Sequence, residues 1–206
     1  MNGKPRGKTI SNCVRVVTLV FVLPVTTNFI RAQSPQHPDD AANRRNEEVG
    51  KLIVILRAPE LRKDHPEKVV SAIQRLGEMR AVEAVDDLVE LLTFARRFPW
   101  ERDDAIIEIQ PITEGNRYPA TSALFQIGRP ALPALVKVVE SNSLDSVRGQ
   151  NAVSAIRNIF RDDLSGGVKY LEHAAEESAN VDSGQRLTQA ATQLRQLAVQ
   201  LANPAK

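Results

Sequence analysis

One spacing occurs three times along the chain and restricts what it can fold into. Val69-x-x-Ala72-Ile73-x-x-Leu76-Gly77 aligns with Ala120-x-x-Ala123-Leu124-x-x-Ile127-Gly128, and Ala152-x-x-Ala155-Ile156-x-x-Ile159-Phe160 keeps the same intervals. The copies begin 51 and then 32 residues apart. Small or apolar residues at i, i+3, i+4 and i+7 form one stripe of an α-helix, and alanines in the stripe let a neighbouring helix approach closely. A second apolar run follows each copy: Val82, Val85, Leu88, Val89 and Leu92; then Leu132, Leu135, Val138 and Val139; then, more sparsely, Val168, Leu171 and Ala175. A single helix pair cannot bury its stripes alone, and stacked pairs can. The fold class expected is therefore all-α, a short α-solenoid of antiparallel helix pairs.

The stretch ALFQIGRPALPALVKVVE, residues 123–140, shows how two such helices join. Gly128 is expected to supply the left-handed residue that closes the first helix. Pro130 and Pro133 fall in the first turn of the next, where a missing N–H costs least. Arg44 to Arg57, with Val49, Leu52, Ile53, Ile55 and Leu56, reads as an N-terminal capping helix ending before Pro59. Ser183 to Leu201 reads as a C-terminal cap, with Leu187, Ala190, Ala191, Leu194, Leu197, Ala198 and Leu201 on one face. Gln185, Gln189, Gln193, Gln196 and Gln200 fall largely on the other, as the end of a solenoid requires for solubility.

The wording AIQRLGEMRAVEAVDDLVELL, together with ALFQIGRPALPALVKVVE and the looser copy DSVRGQNAVSAIRNIF, resembles the short HEAT-repeat proteins, including the HEAT-like repeats shared with phycobilin lyases. The resemblance covers about residues 66–176. Of the Asp and Arg that precede the first alanine in that family, Asp145 and Arg148 are the clear match, with Arg148 one residue further from Ala152 than is usual. The resemblance implies a fold and says almost nothing of activity, because this architecture hosts many unrelated functions.

The N-terminal part reads as an address. Residues 1–32 hold Lys4, Arg6, Lys8, Arg15 and Arg31 with no acidic residue, followed by the apolar run VVTLVFVLPV from Val16 to Val25. That is the layout of a secretory signal peptide, with Ala32 offered for cleavage before Gln33. The run is about half of the ~20 residues that a membrane-spanning helix needs, so no stable membrane insertion is expected once the signal is cut. The expected location is secreted or periplasmic; the competing reading is an uncleaved anchor or a membrane-docked amphipathic segment. Removing five of the chain's 27 basic residues leaves 22 against 25 acidic ones, so the formal charge moves from +2 to −3. A chain of that sign has no global pull on nucleic acid. The sole cysteine, Cys13, lies within the signal. Gln33 to Asn43, polar and holding two prolines, is expected to be a flexible linker, with the solenoid spanning 44–203.

The segment that does not repeat is the insertion 93–117, TFARRFPWERDDAIIEIQPITEGNR. Phe94, Phe98 and Trp100 sit among arginines; Ile107 and Ile109 alternate like a short strand; Glu114 to Asn116 suggest a turn. Insertions in repeat proteins project as loops on one face, and Trp, Tyr and Arg often anchor contacts. Arg96, Arg97, Trp100, Arg102, Arg117 and Tyr118 are the candidate binding residues. The competing reading is that the same apolar residues fold back as a cover over the stack.

Catalysis finds little support in the residue types. Two histidines lie beyond the linker, in His65-Pro66-Glu67 and Glu172-His173. HEAT enzymes of the deoxyhypusine hydroxylase type bind iron through repeated His-Glu pairs, but here a proline interrupts one pair and the other is reversed. No metal, cofactor or catalytic residue is therefore expected. Asp86-Asp87, Asp103-Asp104 and Asp162-Asp163 are tempting carboxylate pairs. Adjacent helical residues point about 100° apart, and the first pair is expected on a solvated face. The reading that results is an exported adaptor that binds another protein through the inner face of the stack and the 94–118 arm. The alternative is a small-molecule binder or enzyme with a pocket between arm and stack, near Trp100, Arg102, Arg117 and Tyr118. Nucleic-acid binding of the HEAT-fold DNA glycosylase kind is disfavoured by export and by the charge.

Overall fold

The computed structural model describes residues 38–96 and 117–202, all within the unit His37–Lys206. These residues are helical almost throughout, and no strand occurs among them. In chain order the helices are α1 (Pro38–Arg57), α2 (Pro59–Asp64), α3 (Pro66–Glu78), α4 (Val85–Glu90), α5 (Pro119–Ile127), α6 (Leu132–Ser141), α7 (Val147–Ile159), α8 (Leu164–Glu177) and α9 (Val181–Ala202). Short 3-10 turns, Val82–Ala84 and Arg129–Ala131, lead into α4 and α6.

The stripes are the core. Val69, Ala72, Ile73 and Leu76 of α3, Ala120, Ala123, Leu124 and Ile127 of α5, and Ala152, Ala155 and Ile156 of α7 are all buried. They join the buried Leu88, Leu132, Leu135, Val139 and Leu171 of the following helices in one continuous cluster. Each fully buried Leu or Ile contributes about 1.5–3 kcal/mol, so the repeated spacing is also where the stability lies. Helices α3, α5 and α7 pack side by side in one row, and α4, α6 and α9 in a second, with α1 against α3 and α4. The result is an all-α stack of helix pairs with a capping helix at each end.

The junction at Gly128 departs from its expected geometry. Its φ of 82° and ψ of −144° lie outside the left-handed helical well, in a region that is essentially glycine's alone. Pro130 sits in the 3-10 turn and Pro133 in the first turn of α6, as their missing N–H groups favour. Crossed stacking then ties this turn to the next one: the Arg129 guanidinium lies 5.7 Å from the Phe160 ring centre, and that of Arg161 lies 5.4 Å from Phe125.

Other expectations need correcting. The linker expected to reach Asn43 is helical from Pro38 onward, so α1 is six residues longer at its start. Pro59 does end α1, but it also occupies the first turn of α2, which the apolar pattern did not reveal because no α2 residue is buried. Helix α8 packs chiefly on α9 and only marginally on α7, so the last antiparallel pair is α8 with α9. The cap helix repeats the stripe spacing itself, as Leu187-x-x-Ala190-Ala191-x-x-Leu194, and all four residues are buried. Side-chain donors close the helix ends: Asn151 Nδ2 donates to the Leu92 carbonyl at 2.6 Å, and Ser183 Oγ and the half-buried Arg186 Nε to that of Glu140 at 3.1 and 2.9 Å.

Candidate functional site

The insertion has a defined neck. The backbone N–H of Arg96 donates to the carbonyl of Arg117 at 2.8 Å, which brings the two ends of the non-repeating segment together. Arg96 and Arg117 are exposed and Tyr118 is half-buried. The Tyr118 carbonyl accepts from the Thr121 N–H at 3.1 Å, at the start of α5. Beside the neck, between α3 and α5, a groove of about 260 Å³ is lined by Gln74, Glu78, Arg96, Ser122 and Gln126. Three of the six candidate residues, Arg96, Arg117 and Tyr118, are thus brought together. Arg97, Trp100, Arg102 and the strand expected at Ile107 and Ile109 lie outside the described residues.

A second groove, of about 360 Å³, lies between α4 and α6 and ends at the first turn of α7. Its apolar lining is Val89, Ala134 and Val138, and its polar lining includes Asp86, Glu90, Lys137 and Arg148. The helical period puts these residues there. Val85, Leu88 and Val89 face the core from α4, which turns Asp86, Asp87 and Glu90 away from it; Leu132, Leu135, Val138 and Val139 do the same for Lys137 on α6. Arg148 is set by the capped start of α7, where Ser146 Oγ accepts from the Gly149 N–H at 3.1 Å.

The carboxylates on this side of the stack are mostly paired. Arg57 of α1 grips Asp87 with two hydrogen bonds, at 2.7 and 3.1 Å, and the Asp87 side chain is only 13% exposed. The Asp86-Asp87 pair is therefore not a uniformly solvated face: one member bridges α1 to α4, and the same contact raises the Arg57 guanidinium above its ordinary pKa. Arg45 reaches Glu83 at 3.1 Å. The Glu83 carboxyl is held below the usual carboxylate range, first by a hydrogen bond from its own backbone and then by Arg45. Arg148 meets Glu90 through both terminal nitrogens, at 2.8 and 3.4 Å, while its buried Nε has no hydrogen-bond partner among the described residues. Lys137 belongs to no apolar stripe. Its mark in the sequence is its place on the exposed side of a second helix, four residues before Ser141.

A third, open groove between α8 and α9, of about 920 Å³, is lined by Glu172, Glu176, Gln185, Thr188 and Gln189 among others. The two histidines stand apart from one another in sequence and setting. His65 is exposed, 3.4 Å from Glu67; His173 is exposed, 3.5 Å from Glu177, while its chain neighbour Glu172 pairs with Arg195. Asp163 caps α8, accepting from the Gly166 N–H at 2.9 Å. Among the described residues no three His, Cys, Asp or Glu side chains gather as a metal site would require, and no helix is long and apolar enough to cross a membrane. No family model matches the chain, and neither does any curated protein or solved structure.

Proposed function

We propose that the chain is an exported adaptor of the HEAT-like kind, binding another protein through the face formed by α4 and α6 and through the insertion that leaves at Arg96 and returns at Arg117. The observation that carries this reading is the groove between α4 and α6. It has an apolar lining, a charged rim and direct access to solvent, which is the anatomy of a protein-binding patch. The repeats supply a rigid scaffold, and the insertion adds the aromatic and arginine side chains that most often anchor contacts. The helix stripes that build the core leave the two surfaces free to vary.

The test is capture of partners from an exported-protein fraction, using chain recovered outside the cytoplasm, whose first residue by mass spectrometry is expected to be Gln33. Ala134→Gln fills the groove from a half-buried position without adding charge, and should lower recovery of partners at least tenfold. A chain in which a short Gly-Ser bridge replaces residues 97–116 should keep its helicity, because the ends already meet at 2.8 Å, and should lose part of the capture. Unchanged recovery by both variants would reject the reading; a first residue of Met1 would reject export by cleavage.

A second reading, a small-molecule site at the neck, is supported by the groove lined by Gln74, Glu78, Arg96, Ser122 and Gln126. Its volume is just below the ~300–1,000 Å³ usual for such sites, and its lining is polar where ligand pockets are mostly apolar. The α4–α6 face fits a binding role better.

A further inference from the structure

Pairing within the protein leaves the α4–α6 groove with a simple charge pattern. Glu90 is engaged by Arg148, at 2.8 Å. The hydroxyl of Ser141 donates to the Lys137 carbonyl at 2.7 Å and the amide of Asn142 to that of Val138 at 2.8 Å, so both are tied to their own helix end. Just outside the groove, Glu83 and Asp87 are held by Arg45 and Arg57. Two charged side chains of the lining remain, Asp86 on α4 and Lys137 on α6, each exposed and neither in an ion pair among the described residues. One uncompensated negative charge and one positive charge thus stand on different helices, beside the apolar surface of Val89, Ala134 and Val138.

We infer that this groove selects an extended peptide segment carrying a basic and an acidic side chain on either side of a small aliphatic residue, with Asp86 receiving the base and Lys137 the acid. The inference rests on the reading of this face as a protein-binding surface. Charge complementarity sets the pattern, since a segment of uniform sign would meet one favourable and one repulsive wall. The open groove holds about 360 Å³, room for one or two side chains at a time, and an extended segment, whose alternate side chains point to one face, can present them while its backbone stays in solvent. The aliphatic residue lies against Ala134, the half-buried member of the apolar lining, with the narrow exposed edges of Val89 and Val138 beside it.

Fluorescence anisotropy of labelled nonapeptides tests this. Each has a central Val, with the flanking charges two to four positions apart, in four versions: Arg with Glu, Arg with Arg, Glu with Glu, and Gln with Gln. On the unaltered protein the mixed version should bind tightest, by about fivefold over either uniform one, the scale expected for a partly screened ion pair. Asp86→Lys makes both charges positive and should move the preference to the Glu-Glu peptide; Lys137→Glu should move it to Arg-Arg. Both positions are exposed on helices, so thermal unfolding should stay within a few degrees of the parent. Equal binding of all four peptides, with no change in the variants, would overturn the charge inference and leave the protein-binding reading in place. Absence of binding by every peptide would also overturn it, and the capture result with Ala134→Gln then decides the wider reading separately.

Discussion

Leu124→Ala is expected to lower the free energy of unfolding by about 2–5 kcal/mol. Leu124 has no exposed surface and sits at the centre of the middle stripe, on a helix packed against α3, α4 and α7. Truncation removes three buried carbons and leaves a void whose walls belong to helices on both sides, so no single neighbour can move in to fill it. For a domain of this size the melting temperature should fall by about 5–15 °C in calorimetry or circular dichroism. A fall of under 2 °C would mean that the stripes are not the core. Val54, on α1 and 67% exposed, is the surface comparison: Val54→Ala removes two carbons from an exposed position and should stay within about 0.5 kcal/mol of the parent.

Gly149→Ala should be as damaging, for a different reason. A methyl group at Gly149 would lie 2.3 Å from the Ser143 carbonyl oxygen, 3.1 Å from its carbon and 3.2 Å from the Leu144 Cα. These are backbone atoms in a short connection that is itself pinned, with Ser146 Oγ donating to the Ser143 carbonyl at 2.6 Å. The connection cannot yield locally, so the first turn of α7 must lift away. That movement would disturb the Arg148 contact with Glu90 and the Asn151 bond to the Leu92 carbonyl. The cost should reach or exceed the ~1–3 kcal/mol typical of overpacking, read from chemical denaturation. Gly50→Ala is the control: nothing lies within 4 Å of a methyl there, on the exposed side of α1, and alanine's better helix propensity should stabilise by up to about 1 kcal/mol. Similar effects at the two glycines would contradict the close approach of α7 to the 142–146 connection.

The parts of the fold that could be read from the sequence are those set by periodicity. The i, i+3, i+4, i+7 stripes name their buried residues almost one for one, because a solenoid repeats the same burial at each step. What they do not name is phase and partner. That α8 packs on α9 rather than α7 depends on the fourth stripe, Leu187 to Leu194, whose alanines look like an ordinary amphipathic cap until its neighbours are known. Helix α2 buries no residue, so a pattern of apolar positions has nothing to register there. The candidate site divides in the same way. Arg96, Arg117 and Tyr118 stood out because the repeat does not require them. The α4–α6 groove did not, because Asp86 and Lys137 are ordinary exposed helix positions. Their meaning comes from which other charges are already engaged: Arg57 reaches Asp87 across 30 residues, and Arg148 reaches Glu90 across 58. No local pattern carries that information.

Hydrogen exchange, followed by mass spectrometry on the chain alone and with a captured partner, locates the binding face without any substitution. Slower exchange on binding is predicted in segments 82–96 and 132–148, which carry both sides of the groove, with α1 and α9 unchanged. Slowing confined to α1 or α9, with α4 and α6 exchanging as in the free chain, would place the partner on an end of the stack and contradict the assignment of the α4–α6 face.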